Sequence, residues 1–286
     1  MRIAWITDPH LNHCSLPSWE RLLEETVSSQ CDAVLLTGDI SEGDDVVFQL
    51  ERLAGAIQKP IFFVLGNHDY YQSSISQTRR AVSDAADKHP LLHYLRDESL
   101  ISFSPSVALV GEDGWGDGVE GDYEGSIVSL NDFRLIDDFR NASPTDWKET
   151  LRTLGREAAQ RITVKLSAAC ATHSSILIAT HVPPFRESCW YEGHTTDDNW
   201  APFFVCGQLG RALRAVAQEN PLVKFHVVCG HTHHGGVAQL LPNLTVVTGP
   251  AVYGHPKVTD VIILSHSIVF TSPTHEQGAA TSQPDA

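Results

Sequence analysis

Short apolar runs alternate, over the first part of the chain, with stretches in which apolar residues recur every three or four positions. Ile3-Ala4-Trp5-Ile6, Ala33-Val34-Leu35-Leu36 and Ile61-Phe62-Phe63-Val64-Leu65 have the length and the β-branched or aromatic character of buried strands. Between them, Trp19, Leu22, Leu23 and Val27 predict a helix over residues 18–28. Val46, Leu50, Leu53 and Ile57 predict a second over about 45–57, which Pro60 ends before the third strand. Strand and helix in strict alternation predict a parallel sheet covered by helices.

Further on the same code predicts a helix over 75–88 and a strand over 107–110. Ser143-Pro144 opens a long helix running to about 170, with serine as cap and proline at the first helical position. Its stripe of Trp147, Leu151, Leu154, Ala158, Ile162, Leu166 and Ala169 predicts a face turned to the core. Strands are expected at 176–179 and 225–229, with a helix over 207–219 between them. Residues 244–270 carry three short β-rich runs, broken by Gly249-Pro250, Gly254-His255-Pro256 and Ser265-His266, and these predict strands completing a second sheet. Residues 1–272 are expected to form a single domain. The Pro-, Thr-, Gln- and Ala-rich stretch 273–286 is expected to be a disordered tail.

Composition narrows the function. Lys and Arg number 20 against 35 Asp and Glu, so the formal charge of -15 opposes binding to a long nucleic acid. No apolar run reaches the roughly 20 residues that cross a bilayer, so no membrane partner is expected. The chain enters its first strand without a basic-then-apolar leader, and the six cysteines have neither disulfide nor zinc-knuckle spacing; the cytoplasm is the expected compartment. Oligomeric state is left open. Fifteen histidines are the compositional sign of metal chemistry.

Five apolar runs end in short polar motifs: Asp8 with His10, Gly38-Asp39, Gly66-Asn67-His68-Asp69, His181 before Val182-Pro183-Pro184, and Gly230-His231-Thr232-His233. Ligand sites of open α/β sheets form at the carboxyl ends of strands, so these motifs can converge although the sequence scatters them. Together they offer carboxylates, an amide oxygen and several imidazoles, a mixed set suited to manganese, iron, zinc or related ions and too large for one of them. A competing cation motif at 111–125 almost fits a calcium-binding loop. Asp113, Asp117, Gly118 and Glu124 stand at its first, fifth, sixth and twelfth positions, but Trp115 occupies the third, where an oxygen is needed, and a strand precedes it. That segment is therefore expected to be a loop at the mouth of the site.

In order and in full, these five blocks resemble the pattern of the calcineurin-like metallophosphoesterases. The resemblance implies a four-layer αββα sandwich of two mixed β-sheets flanked by helices. It implies two divalent metal ions, manganese favoured, with Asp8, His10, Asp39 and His233 on one and Asp39, Asn67, His181 and His231 on the other. Asp39 would bridge them. It implies a hydrolase that cleaves a phosphoester of a small phosphorylated substrate, a phosphodiester in preference and nucleotide-like in size, by attack of a hydroxide held between the metals. Two divalent ions, two carboxylates and that hydroxide sum to roughly +1, which attracts a phosphate oxygen. His68 is expected to face the substrate as a catalytic group, and Asp69 to fix its tautomer from behind.

Within the superfamily, the Gly-Asp-x-x-Asp-Arg-Gly pattern of the protein phosphatases is not met by Gly38-Asp39-Ile40-Ser41-Glu42-Gly43, and the lipid A pathway hydrolases carry Arg where His68 stands. Bacterial phosphodiesterases acting on cyclic nucleotides are nearest in pattern. A phosphomonoesterase, a protein phosphatase or a non-catalytic scaffold on the same fold are the alternatives. His13, His234 and His255 match no ligand position and are expected in loop or supporting roles. Trp115, Trp190, Tyr191 and His194 either stack on a base or sugar or close a hydrophobic lid, and both readings stand.

Overall fold

The computed structural model describes residues 1–272, and the expected tail 273–286 lies outside them. Its strands are β1 (Arg2–Ile6), β2 (Ala33–Thr37), β3 (Ile61–Val64), β4 (Leu92–Tyr94), β5 (Ile101–Ser102), β6 (Val107–Gly111) and β7 (Ser175–Ala179). They continue with β8 (Trp190–Tyr191), β9 (His194–Thr195), β10 (Lys224–Cys229), β11 (Gly236–Leu241), β12 (Leu244–Thr248), β13 (Asp260–Leu264) and β14 (Ile268–Phe270). Two six-stranded mixed sheets run β14-β13-β1-β2-β3-β4 and β11-β12-β10-β7-β6-β5, and β8 with β9 forms a separate hairpin. The pairs β1–β13, β13–β14, β11–β12 and β5–β6 are antiparallel, and the other neighbours in the two sheets are parallel.

Alternation of side chains along each strand builds the layers. Ile3, Trp5, Leu35 and Val64 of the first sheet meet Leu109, Leu177, Val228 and Val247 of the second in one buried cluster between the sheets. Ala4, Ile6, Val34, Leu36 and Phe63 point the other way, onto Leu22, Leu50 and Val82 of the helices Leu16–Ser28, Asp45–Ile57 and Ile75–Lys88. Val110, Ile178, Val227 and Val246 face outward onto Ile162, Leu166 and Leu213 of the helices Pro144–Cys170 and Gly207–Glu219. The order is helix, sheet, sheet, helix, the four-layer sandwich expected. No helix among the described residues is long and apolar enough to cross a membrane.

Two expectations need correcting. Of the three runs in 244–270, only β12 joins the second sheet; β13 and β14 return to the first, where β13 pairs with β1 in the register Arg2↔Ile263 and Trp5↔Asp260. The reason is that β1, with β2 on one side only, would otherwise expose a row of unpaired backbone groups. The segment after β6 is also a surface loop only in its second half, 119–125. Residues 111–118 are buried throughout. Asp117 accepts the amides of Gln208 and Val119, and Trp115 packs in the core against Tyr70 and Phe139, which removes it from the residues that could stack on a substrate.

Asp113 is the polar centre of this buried turn. Its Oδ1 accepts the Leu65 amide at 3.0 Å, just ahead of the third motif, while its Oδ2 accepts from Tyr94 at 2.8 Å, Tyr70 at 3.0 Å and Arg79 Nε at 3.1 Å. Burial works against its charge, but Arg79 and Arg96 prevail and hold the carboxyl below the usual range. Removing one partner from such a buried group leaves the others uncompensated, so Asp113→Ala is expected to cost about 3–5 kcal/mol in chemical denaturation. The sign with pH follows from the lowered folded-state value. The contribution of Asp113 is complete above the unfolded carboxyl pKa of about 3.9 and fades as pH falls below it. The stability gap between the wild type and Asp113→Asn should therefore narrow below about pH 4, and a gap constant with pH would contradict this account.

Candidate metal centre

All five motifs lie at the carboxyl ends of β1, β2, β3, β7 and β10, which are neighbours across the two sheets. Backbone bonds lock the ends together: Asp8 N donates to the Gly38 carbonyl at 3.2 Å, His10 N to Asp39 at 3.0 Å and Gly230 N to His181 at 3.0 Å. Two glycines are required by contact. A Cβ on Gly66 would collide with the carboxylate of Asp39, and one on Gly230 with Asp8 and Thr7, so only glycine lets the turns approach these side chains this closely.

On one side, single donor atoms of Asp8, His10, Asp39 and His233 all lie within 4.8 Å of one another. His10 Nε2 is 3.0 Å from His233 Nε2 and 3.7 Å from Asp39 Oδ2, and His233 Nε2 is 3.5 Å from Asp8 Oδ1. On the other side, Asn67 Oδ1 is 3.2 Å from His181 Nε2 and 3.0 Å from His231 Nδ1, and those two nitrogens are 3.2 Å apart. Asp39 Oδ1 faces this second group, 3.4 Å from His181 Nε2. One carboxylate thus turns an oxygen to each cluster.

Supporting contacts decide which lone pairs converge. His181 Nδ1 donates to the Thr37 carbonyl at 2.9 Å, so its Nε2 carries no proton. His231 Nε2 is 3.4 Å from the Phe203 carbonyl, which leaves Nδ1 as the free acceptor. Asn67 Nδ2 donates to Asp132 Oδ1 at 2.9 Å, and this turns the amide oxygen inward. Three acceptor atoms within 3.2 Å of one another, with no proton among them, repel unless a cation lies between. The donor set therefore fits divalent ions.

Electrostatics tell the same story. Burial, and then the charge of Asp8, push the Asp39 carboxyl well above its usual range, and burial raises Asp132. Asp8 goes the other way: burial opposes its charge, but the His233 hydrogen bond and the nearby imidazoles hold it low. Burial lowers His231 strongly, His10 to about 2 and His68 to about 3, so all three imidazoles are neutral bases at neutral pH. For His233 the bond to Asp8 outweighs burial and raises the value.

His68 borders a cleft of about 600 Å³ lined also by His13, Glu42, Tyr71 and Tyr253. Its ring lies 4.3 Å from that of Tyr71 and 4.8 Å from that of His10, and its Nε2 is 3.4 Å from the Tyr253 hydroxyl. Asp69 does not hold it. The Asp69 carboxylate accepts the amides of Ile40 at 2.8 Å, Ser41 at 2.9 Å and Gly66 at 2.8 Å, binding the turn after β2 to the turn after β3. Both residues lie in the 3₁₀ turn His68–Tyr70, where successive side chains diverge by about 120°, so one reaches the cleft and the next the core. Tyr253, Asp132 and the Phe203 carbonyl escaped the sequence reading. None sits in a strand-end motif, and only the buried acid Asp132 in a polar stretch carried any signal.

Of the remaining candidates, His13 lies 3.7 Å from Glu42 at the rim, and His234 accepts the Glu192 amide at 3.3 Å while its ring meets Tyr191. His255 is exposed. Trp190, Tyr191 and His194 belong to the β8–β9 hairpin and line a second cleft.

A family model for calcineurin-like phosphoesterases matches residues 1–235. No curated protein sequence matches the chain. Among solved structures the fold is similar to that of a dimetal phosphatase from Danio rerio, with 15% identity, 92% of each chain covered and a TM-score of 0.60. It is similar as well to phosphopantetheinyl hydrolase from Mycobacterium tuberculosis, with 12% identity, 96% of this chain and 97% of that one covered and a TM-score of 0.64. The protein TT1561 of Thermus thermophilus follows at 14% identity, 87% and 88% coverage and a TM-score of 0.50.

Asp132 provides a test of the geometry. Asp132→Ala frees the Asn67 amide to rotate and is expected to weaken manganese binding by about 10–100-fold in calorimetric titration, with the cooperative unfolding transition retained. Unchanged affinity would mean that Asn67 is not a ligand.

Proposed function

Because the chain belongs to the calcineurin-like phosphoesterase family, we propose that it is a metal-dependent hydrolase of small phosphodiesters, nucleotide-like in size, working with two divalent ions of which manganese is favoured. The observation that carries this reading is the triad of acceptors Asn67 Oδ1, His181 Nε2 and His231 Nδ1 beside a carboxylate whose other oxygen faces His10. Asp8, His10, Asp39 and His233 would hold one ion, and Asp39, Asn67, His181 and His231 the other. Bound there, divalent ions lower the pKa of coordinated water from about 15.7 towards roughly 7 and polarise phosphoryl oxygens.

The chain's own groups do the rest. Asp39 keeps the two clusters at a fixed separation, and the Thr37 and Phe203 carbonyls hold the imidazoles in their liganding tautomers. His68, kept neutral by burial, presents Nε2 to the cleft, where it donates a hydrogen bond to a phosphoryl or leaving-group oxygen. Asp69 acts only through backbone, as a positioning residue for Asp39 and His68. The six free thiols favour a reducing compartment, the cytoplasm.

Untreated protein should carry close to two transition-metal ions per chain by elemental analysis, and the manganese-loaded form should cleave bis(p-nitrophenyl) phosphate. Asp39→Asn is expected to abolish both properties. His68→Ala is expected to keep the metals and lose roughly 10²–10⁴-fold in kcat. A metal-loaded protein inert toward a panel of phosphoesters, or a stripped one equally active, would refute the proposal.

A further inference from the structure

The β8–β9 hairpin encloses, with Trp200, Phe204 and Thr232, a cleft of about 410 Å³, within the range of small-molecule sites. Its aromatic lining includes two rings that the fold leaves in water, Tyr191 at 61% exposed and Trp200 at 46%. The hairpin is nevertheless fixed in place. Trp190 packs on the backbone of Gly236, Tyr191 sets its ring edge-on to His234 at 4.7 Å, and Thr196 N donates to the Cys189 carbonyl at 2.9 Å.

The cleft adjoins the metal centre. The Phe204 ring lies 4.5 Å from that of His231, and Thr232 sits between His231 and His233. The cleft beside His68 and Tyr253 is a separate space on the other cluster's side. Charge limits what the aromatic cleft accepts: Glu192 and Asp197 line it, and no Lys or Arg does so among the described residues. The one guanidinium close by, that of Arg186, is engaged by Asp198 and the Thr196 carbonyl, so a second phosphate meets the two carboxylates, whereas a flat uncharged ring finds stacking partners.

On the phosphodiester reading above, we propose that this cleft is the subsite for the ester arm retained on phosphorus, and that the arm it selects is an uncharged planar aromatic group. The leaving arm then lies on the His68 side. Trp200 and Tyr191 are the specificity-determining residues, and the preference is for diesters whose retained arm bears no further phosphate.

Two diesters with the same leaving group isolate the retained arm: bis(p-nitrophenyl) phosphate and methyl p-nitrophenyl phosphate, both read as p-nitrophenolate release by the manganese-loaded full chain. The aryl-to-methyl ratio of kcat/KM is expected to fall about tenfold in Trp200→Ala and in Tyr191→Ala, each checked for an unchanged unfolding transition. Binding of phenylphosphonate against methylphosphonate, followed by calorimetry on the same loaded protein, gives a readout without turnover. The phenyl compound is expected to bind about tenfold tighter to the wild type only. A ratio and a binding preference that survive both substitutions would overturn the subsite. Aryl-selective binding with neither diester cleaved would uphold the subsite and overturn the hydrolase reading, so the two failures are distinguishable.

Discussion

Asp39 joins the two halves of the site. Its carboxylate lies at the seam of the two sheets, with one oxygen toward His10 and the other toward His181, and it accepts the His68 amide at 2.9 Å. Burial and the neighbouring Asp8 make its charge unfavourable on its own. On the His181 side, the Asn67 amide oxygen and two imidazole nitrogens crowd together beside it. Such an arrangement favours positive charge inside it, to which the chain's own Asp8-bonded His233 contributes.

The backbone carries part of the cost. Asp8, His10, Asp39, His231 and His233 all have positive φ, between 41° and 71°, a region that non-glycine residues avoid. Positions of this kind cost on the order of 1–3 kcal/mol each and persist where surroundings over-determine them. Here the surroundings are the paired strands below and the cross-links Asp8 to Gly38, His10 to Asp39 and Asp69 to three amides above. The turns are cross-linked where the candidate ligands leave the sheets.

The sequence disclosed the parts of this arrangement that repeat a local rule. Ile3 to Ile6, Ala33 to Leu36 and Ile61 to Leu65 read as strands because every residue in them is buried, and the strand-end motifs followed because glycine and polar residues end each run abruptly. Long-range choices were not legible. Nothing local tells β13 to pair with β1 and not with the second sheet, since both edges offer the same backbone groups. Asp69 was assigned to His68 because the two are adjacent, yet adjacency in a 3₁₀ turn separates side chains. Asp132 and Tyr253 reach the site from segments whose polarity resembles that of any loop. Trp115 reads by composition equally as a stacking residue or as part of a hydrophobic lid, and it is a core residue by packing.

The return of β13 to the flank of β1 bears on how the protein is made. The strand that leads to Asp8 and His10 acquires its second neighbour only from residues 260–264, and His231 and His233 follow long after the first three motifs. A chain still on the ribosome can hold the first sheet's inner strands but neither its closing partner nor the last imidazoles. The donor set is thereby completed only after the first sheet's inner strands have been made, and a product cut short before residue 231 lacks two of its imidazoles.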